Sequence, residues 1–193
     1  GFTEPWLLDT PTIFSVSIYD IARSDYTSAF DREKRRGGYT RLGRELKWPD
    51  YTRAYLTYRL EDVDYSNPSS YYQQYLMTGK TSSLSMSFNR DSTDMPQFAT
   101  KGTKMFLSFE LAGGPLGGDL SYYKYFLHNE VYFPLFWNLS LESRSRLGYL
   151  RGYKQNTWVP YSERFMPGGT SFDGIVRGYP NRQVCPRISG EEI

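Results

Sequence analysis

The chain has almost none of the residues that hold small folds together covalently or through a metal: Cys185 is its one cysteine and His128 its one histidine. An intrachain disulfide is therefore excluded, and no Cys/His set exists to bind zinc. Long apolar runs are missing too. A membrane-spanning helix needs about 18 consecutive apolar residues, whereas the stretch 131–137 is far shorter and is interrupted by Pro134. Nor does one charge dominate: 23 basic residues face 21 acidic ones, which leaves no electrostatic footprint for a nucleic-acid partner. No basic-then-apolar leader opens the sequence, which starts at Gly1 with strand-like residues. It is expected to be an internal piece of something longer.

What the sequence does hold is aromatic. It carries 18 Tyr, 12 Phe and 4 Trp, at a mean hydropathy of −0.60 ordinarily found in soluble proteins. The two facts are compatible in a membrane β-barrel, where every second side chain faces a polar lumen and lowers the average. A period of two does recur, in segments of roughly the nine to eleven residues a tilted membrane strand needs. Over 52–61, Ala54, Leu56, Tyr58 and Leu60 alternate with Arg53, Tyr55, Thr57, Arg59 and Glu61. One face suits lipid and the other water, and a one-residue slip would put charges into hydrocarbon. Leu84, Met86 and Phe88 repeat the pattern against Ser83, Ser85 and Ser87, as do Met105, Leu107 and Phe109 against Phe106, Ser108 and Glu110. So do Tyr123, Tyr125, Leu127, Val131 and Phe133, with Asn129 as the exception on the apolar side, and Trp137, Leu139, Leu141, Leu147 and Tyr149. Weaker versions cover 12–19 and 39–46.

The links between these segments are expected to alternate in length. Residues 8–11, 47–50 and 134–136 read as tight turns, and 21–37, 64–81 and 151–181 as long loops, the outer-membrane pattern of short turns on one rim and long loops on the other. The segment 91–101 breaks the rule, being long where a short turn is expected. Trp48, Tyr51, Phe133 and Trp137 lie beside the short turns, where an interfacial aromatic girdle would sit. The competing fold is a soluble sandwich, whose strands also alternate but hide their apolar faces against a second sheet. Arg and Glu at mid-strand beside bulky Tyr favour a wide, wet lumen.

Several motifs offer little chemistry. Thr78-Gly79-Lys80-Thr81 looks like the end of a phosphate-binding loop, but Gln74 stands where that loop needs glycine; a loop tip is expected. Gly113, Gly114, Gly117 and Gly118 suit a hairpin connection. The charged run 31–36 reads as a solvated loop, with lipopolysaccharide phosphates as the alternative partner. Glu61, Asp62 and Asp64 do not form a hydrolase pair, since Glu61 and Asp62, one residue apart, fall on opposite strand faces. His128 shares the lumen register with Lys124 and Glu130. The sequon Asn138-Leu139-Ser140 is placed within a strand and so discounted. No catalytic residue, metal site or cofactor is expected.

Residues 164–179 differ from the rest. Here Arg164, Phe165, Gly168, Gly169, Phe172, Val176, Arg177, Gly178 and Tyr179 combine glycines, aromatics and a central arginine inside a long loop. Long loops with packing groups of their own are usually functional or disordered; the aromatics argue for order. Arg177 would reach lumen carboxylates with a bidentate fork. The bland reading of Arg177 is an exposed loop arginine.

These residues closely resemble the BamA family of outer-membrane assembly factors, whose sixth extracellular loop folds back into the lumen. That loop carries a Val-Arg-Gly-Phe/Tyr signature, matched by Val176-Arg177-Gly178-Tyr179, with Arg164-Phe165 and Gly168-Gly169 as its lead-in. Glu4-Pro5-Trp6 and the segment 43–50 resemble further family turns, so the likeness spans nearly the whole chain. It implies a partial transmembrane antiparallel β-barrel over 1–193, about seven complete strands of a sixteen-stranded up-and-down barrel. The parent would carry periplasmic domains upstream and insert other barrels without covalent chemistry. Implied partners are unfolded β-barrel clients, outer-membrane lipids and, through the missing N-terminal domains, accessory lipoproteins and periplasmic chaperones. The carboxylates that would hold Arg177 are implied to lie beyond Ile193. A related polypeptide-secretion pore and a passive porin remain as alternatives.

Overall fold

The computed structural model describes residues 1–24, 32–67, 76, 78–137, 139–153, 159, 161–169 and 176–179. The chain divides into two compact units, Gly1–Tyr161 and Ser162–Ile193. The first is one antiparallel meander whose eight strands lie in chain order: β1 (Phe2–Glu4), β2 (Thr12–Ser24), β3 (Arg32–Glu45), β4 (Thr52–Ser66), β5 (Gly79–Asp91), β6 (Gly102–Ala112), β7 (Tyr122–Pro134) and β8 (Ser140–Gly152). Seven are long and β1 is short. The outer strands β1 and β8 do not pair with each other among the described residues, so the unit is an open wall.

Register settles which side each residue faces. Leu56 pairs with Leu42 and Met86, Phe88 with Leu107, Phe109 with Tyr125, and Leu127 with Leu147. The apolar sets of all the long strands thus share one face. Nothing covers it: Leu56, Leu60, Met86, Leu107 and Leu147 are all exposed. A sandwich would have buried these residues under a second sheet. The outward face of β7 stays apolar or aromatic, apart from Asn129, from Tyr123 to Phe133, a span that matches the roughly nine to eleven residues a tilted membrane strand needs.

The strands run further than the alternation implied. Instead of the one long loop expected over 21–37, β2 continues to Ser24 and β3 begins at Arg32, with Ala22 opposite Lys34 and Ser24 opposite Arg32. The charged run is therefore largely strand. Arg32, Lys34 and Arg36 fall on the outward face and Glu33 and Arg35 on the inward one. The hydrophobic pattern vanishes there because, above the lipid, the outward face no longer has to be apolar. The same holds for residues 64–66, and for Gly79, Lys80 and Thr81, which open β5 rather than capping a loop. Asp31 and Gln74 lie outside the described residues. At the other end, Trp137 and Leu139 belong to a turn, since β8 starts at Ser140. Strand burial is therefore no reason to discount the sequon, whose Asn138 lies outside the described residues.

The glycine-rich link between β6 and β7 is the expected connection. Gly113 has φ +74°, and a Cβ on it would sit 2.2 Å from the Leu120 carbonyl oxygen. Behind it Ala112, Leu120 and Tyr122 form a small core on which Leu150 packs. At the opposite end of the wall, four bulky residues occupy left-handed backbone: Leu8, Tyr51, Phe98 and Trp137, with φ between +53° and +60°. Such geometry costs an ordinary L-residue roughly 1–2 kcal/mol. The connection at 92–101, long as expected, is held from within. The Asp94 carboxylate accepts the backbone N–H groups of Met95, Thr100 and Lys101 and the Thr100 hydroxyl.

Candidate functional site

The inward face holds charge where the outward face holds apolar side chains. On β4, odd-numbered residues point inward, and Glu61 lies at the centre of a network that crosses the wall. Its carboxylate accepts the Tyr19 hydroxyl at 2.6 Å, Arg35 Nη1 at 3.2 Å and Arg59 Nη1 at 3.4 Å. Arg35 also binds Glu33 at 2.5 Å, and Arg59 reaches Glu110 at 2.5 Å and the Ser83 hydroxyl at 3.4 Å. Tyr122 donates to Glu110 at 3.2 Å. The side chains of Glu33 and Glu61 are 4% exposed. Carboxylates so withdrawn from water are tolerable only with cations and donors on their lone pairs. Six strands, β2 to β7, are thereby tied by side chains as well as by backbone.

A second cluster lies nearer the other end. Glu130 Oε1 is 3.1 Å from His128 Nε2 and 2.9 Å from Arg144 Nε, and Glu130 Oε2 accepts the Tyr132 hydroxyl at 3.0 Å. His128 therefore lies in the inward register with Glu130, as its spacing required. On the same face Arg41 lies over the Tyr39 and Tyr55 rings, 5.3 and 5.8 Å from their centroids, and donates to Thr57. Tyr55 in turn covers Gly43, where a Cβ would meet its ring carbon at 2.5 Å. Such a face offers a polar, rigid surface to whatever lies inside. No nucleophile and base are paired on it among the described residues.

The unit Ser162–Ile193 carries the signature residues. Gly169 and Val176 form an antiparallel bridge, with Gly169 N donating to Val176 O at 3.1 Å. The lead-in and the signature are thus brought together at the base of a hairpin. Gly168, Gly169 and Gly178 all have positive φ, at +142°, +54° and +87°. The last two are left-handed turns that a Cβ would strain. Met166 is buried, and Arg164 and Phe165 are half-buried and engaged with neighbours. Arg177 and Tyr179 are exposed, and Arg177 makes no ion pair among the described residues. Phe172 and Cys185 lie outside the described residues.

Sequence reasoning finds His128 and Glu130 but not Glu61 as a hub. The inward face of Glu61 is legible, since it shares parity with Arg53, Tyr55 and Arg59. Its partners are not, because Tyr19 and Arg35 lie on strands whose register has to be known first, and Arg35 falls in a stretch that reads as loop. The aromatic girdle beside the short turns is legible. A second aromatic group near the opposite end is not: Tyr123 stacks with Tyr149 at 5.9 Å, and Phe109 meets Tyr125 at 4.8 Å.

Comparison with known proteins agrees with this geometry. The Omp85 superfamily domain matches residues 1–193. The outer membrane protein assembly factor BamA of Nitratidesulfovibrio vulgaris is 39% identical over 109 residues, which cover 55% of this chain and 13% of that protein. A SAM50-like protein of Schizosaccharomyces pombe is 28% identical over 184 residues, covering 93% of this chain and 35% of its own length. Among solved structures, BamA from Haemophilus ducreyi lacking POTRA domains 1–3 superposes with a TM-score of 0.76 at 19% identity, over 95% of this chain and 37% of that one. The chain thus spans well under half the length of each of these relatives.

Proposed function

Since the chain belongs to the Omp85 superfamily, we propose that it is a stretch of outer-membrane barrel wall from a protein that folds and inserts other β-barrels into the bacterial outer membrane. The observation that carries this reading is the presence in one chain of a register-matched wall, apolar outside and ion-paired inside, and of the Val176-Arg177-Gly178-Tyr179 signature. A wall of this kind spans a bilayer because its inner strands, β3 to β7, have bonded strands on both sides, and its outer edges would be paired in the closed parent barrel. Incoming strands would be templated by β-augmentation at an open edge elsewhere in the parent barrel. The work is mechanical, with no covalent chemistry and no cofactor.

The partners of the parent protein are unfolded β-barrel clients and outer-membrane lipids. Accessory lipoproteins and periplasmic chaperones would be engaged by domains that precede the barrel. In this reading Arg177 pins its hairpin inside the lumen with a bidentate grip on carboxylates contributed by later strands. Its exposure and its turn glycines, Gly169 and Gly178, suit a guanidinium presented to a partner. The test is Arg177→Ala and Arg177→Lys in the full-length parent protein, with folded client barrels scored by heat-modifiable mobility and the hairpin by limited proteolysis. Slower assembly and faster cleavage are expected for both variants, since lysine cannot form the fork. Unchanged assembly and cleavage in Arg177→Ala would remove this role.

A further inference from the structure

Where the outward face of the wall leaves the lipid it carries a cleft of about 420 Å³, bounded by β3, β4, β5 and the connection that follows β6. That volume lies within the roughly 300–1,000 Å³ of small-ligand sites. Register explains its shape. Ile18, Gly38, Leu60 and Ser82 lie side by side across β2 to β5, and the two small residues leave a notch on either side of Leu60. A Cβ on Gly38 would sit 2.7 Å from the Ser17 carbonyl oxygen, so a larger residue there would push β2 away. The connection after β6 closes the far side. Gly113 N donates to Ser82 O at 2.9 Å and Asp119 N to Lys80 O at 2.7 Å, with Gly118 bridged to Thr81, and this brings Leu116 into the lining. The Tyr58 hydroxyl lies 3.0 Å from Ser82 Oγ and satisfies it.

The next outward row is charged. Arg36, Asp62 and Lys80 are register partners, so their signs alternate along the rim of the cleft, and all three are exposed. Direct cross-strand neighbours have Cβ atoms about 5 Å apart, yet Asp62 and Lys80 make no ion pair among the described residues. Arg36 reaches Asp20 through Nε at 3.3 Å, and Lys34 shares that carboxylate at 3.9 Å. We infer that this cleft binds phosphatidylethanolamine: Lys80 and Arg36 take the phosphate, Asp62 takes the ammonium, and one acyl chain lies along Leu60 between Gly38 and Ser82. The order of charges selects the headgroup. Ethanolamine places an ammonium two carbons from a phosphate, which suits a carboxylate flanked by cations on neighbouring strands. A lipid bearing phosphates alone would set one against Asp62, and like charges brought together disfavour a partner. Depth selects the rest of the ligand. Rows two residues apart are about 7 Å apart along a strand, so a headgroup on the charged row leaves the first methylenes of its chain on the apolar one. Below Leu60 the chain continues over Tyr58 and Leu56, which belong to the lipid face of the function proposed above.

This inference rests on the outer-membrane reading, and its test separates the two. A cysteine-free background of the full-length parent protein, with Cys185→Ser, receives either Ile18→Cys, beside the cleft, or Leu107→Cys, on the mid-wall away from it. Each is labelled with bimane in vesicles of equal phosphatidylethanolamine and phosphatidylglycerol, with one lipid or the other carrying brominated acyl chains. At Ile18, quenching by the brominated phosphatidylethanolamine should exceed that by the brominated phosphatidylglycerol roughly twofold or more, the preference that complementary charges confer. At Leu107 the two should quench alike. Asp62→Asn and Lys80→Gln should each bring the Ile18 ratio down to that of Leu107, with heat-modifiable mobility showing that both variants are folded. An Ile18 ratio equal to that of Leu107 from the start, or unchanged in Asp62→Asn, would overturn the site and leave the wall standing. Stronger quenching at Ile18 by phosphatidylglycerol, or loss of the phosphatidylethanolamine signal when lipid A is added, would overturn it in favour of an anionic lipid. A Leu107 label quenched by neither lipid and open to aqueous iodide would overturn the wall itself.

Discussion

The two ends of this wall reverse the chain between antiparallel strands by opposite means. At one end the left-handed positions are glycines or Asn67, and the neighbouring inward face is braced by Glu33, Arg35, Glu61, Arg59 and Glu110. At the other end Asp9 and Gly102 are joined at positive φ by Leu8, Tyr51, Phe98 and Trp137, which occupy it in spite of the steric cost and leave their side chains exposed. Length does not distinguish the ends as clearly as the spacing of apolar segments suggests, because β2 and β3 extend into residues 21–24 and 32–37. Chemistry does. Both ends are held by the protein's own polar contacts, but the bulky end also exposes the large side chains Leu8, Tyr51, Phe98 and Trp137 at left-handed positions.

Four outcomes would contradict or refine this contrast. The largest effect should come from Glu61→Ala, which strips Arg35, Arg59 and Tyr19 of a shared acceptor. A broken buried pair costs several kcal/mol, but both arginines keep about a fifth of their exposure, so about 3 kcal/mol is expected. Urea unfolding of the full-length protein in vesicles measures it; a loss below about 1 kcal/mol would mean that backbone pairing alone holds this end. Next, Gly113→Ala forces a Cβ against the Leu120 carbonyl at positive φ and should lower the same stability by about 1–3 kcal/mol.

The matching change at the opposite end should be much smaller. Phe98→Gly relieves a left-handed strain of roughly 1–2 kcal/mol but adds chain freedom to the unfolded state, typically about 0.5–1 kcal/mol. Stability in detergent should therefore shift by under about 1 kcal/mol. A loss comparable with that of Gly113→Ala would show that Phe98 is packed rather than presented.

The smallest effect concerns pH. The Thr100 hydroxyl and N–H, followed by the Lys101 N–H, lower the Asp94 carboxyl from its ordinary 3.8 to about 2. A depressed acid stabilises the folded loop above its unfolded pKa and loses that contribution as pH falls from about 3.8 through 2. The Thr100 amide resonance should inflect near pH 2 in the native protein and show no inflection in Asp94→Asn. An inflection near 4 in the native protein would mean the pin is not formed.

Much of this is readable from residue order, and for a simple reason. A strand between lipid and water must alternate, so Leu56 against Arg59, or Phe109 against Glu110, betrays both the strand and its faces without any knowledge of neighbours. Where the strand leaves the lipid, that constraint ends. Arg32, Lys34 and Arg36 look like a solvated loop because their outward face no longer meets lipid, and only pairing with Ala22 and Asp62 reveals β3. The loop signature is legible as a motif. That Gly169 bridges Val176, and so brings lead-in and signature together, is not.

Residue order therefore determined the all-β class, the facing of each central strand and the unusual residues of 164–179, because these depend on local periodicity and composition. Tertiary structure alone decided that Glu61 is shared by Tyr19, Arg35 and Arg59, and that Leu8, Tyr51, Phe98 and Trp137 occupy equivalent left-handed positions along one edge. Both depend on strand register and turn geometry, and these emerge only when segments far apart in the chain are paired.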